Sequence, residues 1–269
     1  MLILALLAMC GGAFAQGTTE KKKREKNPND GSFWLDLKAG IGVTTSFDKS
    51  TVPFAYNGLL THVQPGFTYE WKRCHIRFGA GLDRTRYSSL GGNAYNISGN
   101  FEFLYSCLKP SANRWHFWSG ASLNGNFDLK QLPSLQNAST NLSIFGNLAA
   151  EELVQCDFAY EKGNLAHPWM TAYFQFSLPL FTVASRPGFA YVMDIPAEEG
   201  ALQRLVGPNE SLFKMFPGCA TDLGFTVNLR NGNRFSFGHR WDYLTTGKKG
   251  AYRYDNTFRT YYLKFMFKI

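Results

Sequence analysis

The chain has 269 residues, of which 45% are hydrophobic and 16% aromatic, with 24 Phe and 13 Tyr. Its formal net charge is +8 and its mean hydropathy is only −0.22. That hydropathy excludes a bundle of transmembrane helices, while the basic balance alone leaves nucleic acid, anionic lipid and anionic glycan open as partners.

The first element is an apolar leader. Residues 1–15 read MLILALLAMCGGAFA and end in the A-x-A pattern of Ala13-Phe14-Ala15, so signal-peptide cleavage is expected before Gln16. Met1 is followed directly by Leu2, without the usual positive n-region, and the run is too short to span a bilayer. Cys10 offers an acylation site, although Met9 stands where a small residue is expected. Residues 16–31 then carry Glu20, Lys21, Lys22, Lys23, Arg24, Glu25 and Lys26 and read as a charged, flexible periplasmic tail. Such a run is a contact for anionic headgroups or a solvated linker, and we take it as the linker.

From Phe33 the period becomes two, the signature of a strand. Phe33, Leu35, Leu37, Ala39, Ile41 and Val43 share one face, opposite Trp34, Asp36, Lys38, Gly40, Gly42 and Thr44. Further alternating segments follow around Thr61–Trp71, Ile76–Leu82, Ile97–Tyr105 and Trp115–Leu123. The sixth, around Val154, Cys156, Phe158 and Tyr160, is weaker, and its lead-in over residues 148–153 reads as helical or bulged. The seventh places Phe174, Phe176, Leu178 and Leu180 outward. The eighth alternates Leu223, Phe225, Val227 and Leu229 with polar partners, and the ninth does so with Phe235, Phe237, His239, Trp241 and Tyr243. The tenth alternates Tyr261, Leu263, Phe265, Phe267 and Ile269 with Tyr262, Lys264, Met266 and Lys268.

Ten strands, with eight or twelve as alternatives, predict one antiparallel all-β transmembrane barrel over residues 32–269. Connections alternate between tight (Lys72-Arg73, 109–113, Asn231-Gly232-Asn233) and longer (46–56, 88–93, 128–140, 184–218, 245–255), with 161–168 between them. Short periplasmic turns and longer extracellular loops suit an outer-membrane barrel. Period two alone also fits a soluble sandwich or lipocalin-like barrel. Three features favour the membrane: Gly, Ser and Asn on the charged faces, interfacial Trp71, Trp115, Trp169, Trp241 and Tyr243, and an aromatic last strand.

The segment Tyr261-Tyr262-Leu263-Lys264-Phe265-Met266-Phe267-Lys268-Ile269 resembles the C-terminal assembly signal of outer-membrane proteins, ending on Ile rather than Phe. With the leader, Gln16 at the mature start, and Leu178-Pro179-Leu180 running into Ser185-Arg186-Pro187, the chain resembles small barrels of the Bacteroidota type. That resemblance implies residence in a Gram-negative outer membrane more than any one activity.

The expected lumen carries both signs: Asp36, Lys38, Glu70, Arg77, Asp83, Glu102, Asp157, Asp222, Arg230, Arg240, Asp242, Lys264 and Lys268. Charges removed from water persist when paired, so a polar network plugging a narrow lumen is expected, with a narrow solute path as the alternative. The nearest nucleophile–base candidate is Ser236 and His239 with Asp242. Ser236 and His239 lie three apart, however, and an unbulged strand sends them to opposite faces. No cofactor, metal motif or nucleic-acid motif is read. Cys74 and Cys107 form a bridge or face lipid as small apolar residues. The loop over residues 184–218, with Arg186, Asp194, Glu198, Glu199, Arg204 and Glu210, is the expected partner-docking segment. The expected function is a non-enzymatic structural or accessory component of an outer-membrane complex. Its partners would be outer-membrane lipids and proteins of the outer membrane or periplasm. The alternatives are a narrow ion or solute channel and a lipid-modifying enzyme.

Overall fold

The computed structural model describes residues 31–49, 54–71, 73–107, 114–134, 140–158, 168–187, 209–246 and 253–269. The leader, most of the charged tail, and Asp194, Glu198, Glu199 and Arg204 lie outside the described residues. Apart from turns and a short 3-10 segment at 133–134, the described part is strand: β1 (Ser32–Asp48), β2 (Ala55–Trp71), β3 (Cys74–Tyr87), β4 (Gly92–Ser106), β5 (Trp115–Gln131), β6 (Thr140–Phe158), β7 (Met170–Pro187), β8 (Asn209–Met215), β9 (Gly218–Asn228), β10 (Arg234–Thr246) and β11 (Tyr254–Lys268).

Neighbours in sequence pair antiparallel except β8 with β9, β7 pairs β9 and β1 pairs β11, so the sheet closes. β8 and β9 both pair with β7, the first with its C-terminal half and the second with its N-terminal half. They form one stave broken at Phe216-Pro217, where Phe216 takes a positive φ of 49°. Eleven segments therefore build ten staves, the number read from the alternation.

The register fixes the barrel's dimensions. One row runs Ser32, Glu70, His75, Leu104, Gly120, Glu151, Ser177, Ala220, Asp242 and Phe258, and returns to β1 at Thr44, twelve residues (44 − 32) beyond its start. With strand rise and spacing of about 3.3 and 4.8 Å, ten staves at that shear tilt by about 40° and enclose a Cα cylinder about 20 Å across. That is wide enough for side chains to meet from opposite walls.

The alternation sorts the two faces. Ile41, Leu59, Leu82, Ile97 and Leu123 are more than half exposed on the outside, whereas Asp36, Lys38, Thr68 and Glu102 are buried inside. Apolar atoms outside and charges inside invert a soluble protein, and such a wall is stable only against lipid. Trp71, Tyr105 and Trp115 stand outward near the end that holds the termini. Toward the other end the outward face changes to Tyr95, Arg84, Arg86 and Arg259, with Trp241 and Tyr243 stacked 6.4 Å apart. One outward carboxylate interrupts the apolar face: Glu152, which accepts a 2.7 Å hydrogen bond from Ser119.

Four local readings are corrected. Residues 148–153 are regular strand, and the irregularity lies opposite, where Leu180 is the extra residue of β7. The outward parity therefore passes from Leu178 to Phe181, and Val183 follows it. The 88–93 connection is a tight turn, with Tyr87 opposite Gly92 and Gly91 at φ 60°. The two ends of the expected loop over 184–218 are strand, because β7 runs to Pro187 and β8 begins at Asn209; residues 188–208 lie outside the described residues. The Asn231-Gly232 turn forms as expected, with Gly232 at φ 86°, a conformation cheap only for glycine.

Candidate functional site

The lumen is the candidate site, and its side chains stack in three layers. Nearest the termini, Asp36 of β1 accepts a hydrogen bond from Thr68 (2.7 Å) and pairs with Lys264 (3.2 Å) and Arg77 (3.6 Å). Arg234 binds Glu70 through two bonds of 2.8 and 3.1 Å, and its guanidinium lies 4.2 Å from the centre of the Trp34 ring. Trp34 is on the even face of β1 with Asp36, which explains why so large an apolar residue is buried (2% exposed). Its Nε1 donates to the carbonyl of Gly232 in the hairpin turn (3.1 Å), tying the turn to the layer.

The middle layer rests on missing side chains. Gly40, Tyr262, Gly238, Gly224 and Tyr173 stand opposite one another on consecutive staves. A Cβ at Gly238 would meet the Tyr173 and Tyr262 hydroxyls at 2.5 Å each. The two rings thus lie across the glycines from either side and join at their hydroxyls, 2.6 Å apart. Tyr262 also donates to Asp222 (2.5 Å), and a carboxylate only accepts, so Tyr173 donates to Tyr262. Lys38 sits 3.7 Å above the Tyr262 ring and 3.6 Å from Asp222. Across the lumen, Gln175 donates to Glu102 (2.7 Å) and Glu151 (3.0 Å), and Ser122 and Ser177 donate to Glu151. Arg240 grips Asp242 at 2.7 Å, and His62 bonds Asp83 through Nδ1. A cavity of about 210 Å³ remains among these groups, lined by Lys38, His62, Asn96, Asn126, Asp222 and Arg240 among others.

The third layer lies toward the far end. Arg186 binds Asp48 at 2.6 Å, and Lys130 lies 3.5 Å from Asp128 and 4.0 Å from Asp48. All of these are buried. Tyr254 lies under both cations, 4.3 Å from Arg186 and 4.8 Å from Lys130. Tyr56 and Tyr87 meet edge to face at 4.8 Å and pack with Leu90, Ala94 and Leu132.

Asp36, Lys38, Glu70, Arg77, Asp83, Glu102, Asp222, Arg240, Asp242 and Lys264 all face the lumen, and Asp157 does so too, held by His116 (3.0 Å) and Thr171 (2.6 Å). Arg230 does not: it is exposed in the β9–β10 turn, one residue past the end of regular alternation. Arg186 is not a loop residue but a buried member of β7 in the third layer. Sequence reasoning missed Asp48, Asp128, Lys130 and Glu151. The signal was present, since Asp48 shares the even parity of Asp36, and Glu151 the odd parity of Asp157. The strands were drawn too short to include them.

For chemistry, Ser236 faces the lumen and bonds Thr226 (2.8 Å), while His239 faces outward against Tyr261, ring centres 4.7 Å apart. The two cannot meet across the wall. Among the described residues, no group of three or more His, Cys, Asp or Glu is placed to hold a metal. Cys74, Cys107, Cys156 and Cys219 are free thiols.

No family model matches the chain, and no curated protein matches it in sequence. Among solved structures it is similar to Neisserial surface protein A, at 12% identity over 87% of this chain and 97% of that one (TM-score 0.33). It is similar to the translocator domain of the autotransporter NalP from Neisseria meningitidis, at 11% identity over 98% and 94% (TM-score 0.42). It is also similar to the outer membrane protease OmpT from Escherichia coli, at 7% identity over 90% and 98% (TM-score 0.44). The barrel itself rests on the chain's own strand pairing and on its apolar outer face.

Proposed function

We propose that this chain is a non-enzymatic barrel of a Gram-negative outer membrane, a structural or accessory component of an outer-membrane protein complex. The observation that carries the reading is the lumen. Three layers of mutually paired side chains cross it, and each layer joins staves far apart in sequence, as Arg186 joins Asp48. Ion pairs of this kind hold when both partners stay together, and removing either leaves a buried charge. A barrel so filled is suited to holding a rigid wall and presenting its loops. Neisserial surface protein A, an autotransporter translocator and a protease bear names of three different roles, so fold alone does not choose.

In this reading the termini lie on the periplasmic side and residues 188–208 outside, where they meet a protein partner. The likeness of the leader and last strand to Bacteroidota-type barrels belongs to the same proposal. Tagged full-length chain and a variant lacking residues 188–208 are purified from outer membranes, and the co-eluting proteins identified. A partner retained by the first and lost by the second is the expected result. Identical co-eluting sets would overturn the docking role. The middle cavity favours a second reading, a narrow path for ions or small solutes, which conductance separates from the first.

A further inference from the structure

Three arginines stand exposed on the outer wall at the end away from the termini: Arg84 and Arg86 on β3, and Arg259 on β11. One hydrogen-bonded row runs Arg259, Val43, Leu59 and Arg86 across four neighbouring staves. At a spacing of about 4.8 Å per strand, its two cations are about 14 Å apart. Arg84 lies two residues from Arg86 on the same face, about 7 Å away. Between the cations the row is apolar, with Val43 51% and Leu59 60% exposed. The next outward row is polar and holds Thr257, Thr45 and Asn57. Thr45 donates to the side-chain oxygen of Asn57 (2.8 Å), which leaves the Asn57 amide nitrogen as a donor. Among the described residues none of the three arginines forms an ion pair, and Asp255, the outward carboxylate of β11, is taken by Arg253 (2.6 Å).

The height of this face narrows the class of partner. Arg86 is twelve residues (86 − 74) along β3 from Cys74, which stands opposite Trp71 of the near aromatic girdle. At a tilt of about 40° that is about 30 Å along the barrel axis, the thickness of a bilayer's hydrocarbon. The arginines therefore stand at headgroup level, and the wall beneath them is apolar, with Ile41 65% and Leu82 55% exposed. Arginines that only snorkel to water need no particular neighbours. Here a pair and a single cation flank an apolar saddle, with donors on one side and a lipid-facing wall on the other, which is the outline of an anionic amphiphile. A guanidinium fork binds phosphate bidentately. A lipid with one phosphate reaches only one end of a span of about 14 Å.

We propose that this face binds a glycolipid carrying two phosphates, one held by Arg84 and Arg86 and the other by Arg259. Its sugar backbone lies over Val43 and Leu59, and its acyl chains run along the wall below. The inference rests on the outer-membrane reading with periplasmic termini, which puts this end of the barrel in the outer leaflet.

The full chain is refolded in micelles and titrated with diphosphoryl lipid A, monophosphoryl lipid A or phosphatidylglycerol, and one-to-one adducts are measured by native mass spectrometry. Diphosphoryl lipid A is expected to bind saturably, and each of the other two about tenfold more weakly, the worth of one charge-assisted contact. Arg259→Gln is expected to weaken diphosphoryl binding about tenfold, while Arg230→Gln, exposed in the turn at the opposite end, leaves it unchanged. Should Arg259→Gln not fold, Arg84→Gln provides the same comparison. Absence of adducts, equal affinity for the three lipids, or no loss in Arg259→Gln would overturn the proposal. So would a loss in Arg230→Gln as large as in Arg259→Gln, which marks charge attraction without a site. Antibody access to a tag in the tail over residues 16–31, tested on intact cells, reads orientation apart from binding. No access is expected, and access would overturn the periplasmic termini and the outer-leaflet guest while the adduct measurements stand by themselves.

Discussion

At the scale of single residues, the lumen is organised by what glycine leaves out. Nothing in the sequence singled out Gly238 and Gly224, and no pattern announced that Tyr262 and Tyr173 would lie across them. The reason is that period two gives a residue's face but not its rung. Rungs come from pairing between strands, which the alternation leaves open. Gly238→Val would push both rings aside and is expected to destabilise the barrel by about 1–3 kcal/mol in urea-induced unfolding. Tyr262→Phe keeps the ring but leaves Asp222 and Tyr173 without its hydroxyl, and about 1–3 kcal/mol of loss is expected in the same assay. A value near zero for both would show that the bridge contributes nothing. Asp36→Ala is expected to cost more, about 3–5 kcal/mol, because Lys264 and Arg77 both lose their buried counter-ion.

At the scale of elements, face assignment was the most legible property and strand length the least. Every alternating residue of β11 from Tyr261 to Lys268 points where its parity places it, because one face meets lipid and the other charge. Strand ends were misjudged because polar parity continues beyond the apolar band, as Ser46 and Asp48 show. Leu263→Arg, on the lipid face, should destabilise the barrel by about 2–4 kcal/mol. The β7 irregularity makes a sharper test. Deleting Leu180 removes the bulged residue and leaves the inward and outward faces of β7 intact, with Pro179 inward and Phe181 outward. Inserting one alanine after Gln175 would instead flip every residue on one side of it. The deletion is expected to fold into a protease-resistant barrel and the insertion to fail. Equal behaviour of the two would contradict the assigned register.

At the scale of the whole molecule, ten staves form an inside-out barrel whose lumen is crossed by three layers of paired side chains, with a cavity of about 210 Å³ among them. The stave count and the polar lumen could be read from alternation and charge. The three layers could not, since they join residues such as Arg186 and Asp48 whose proximity depends on closure of the sheet. The most direct measurement is ion conductance of the purified chain in planar lipid bilayers, compared with an Asp36→Ala, Asp48→Ala, Glu70→Ala variant that unpairs the outer two layers. The account predicts no steady conductance for the native chain and flickering openings for the variant. A stable, discrete conductance from the native chain would contradict it.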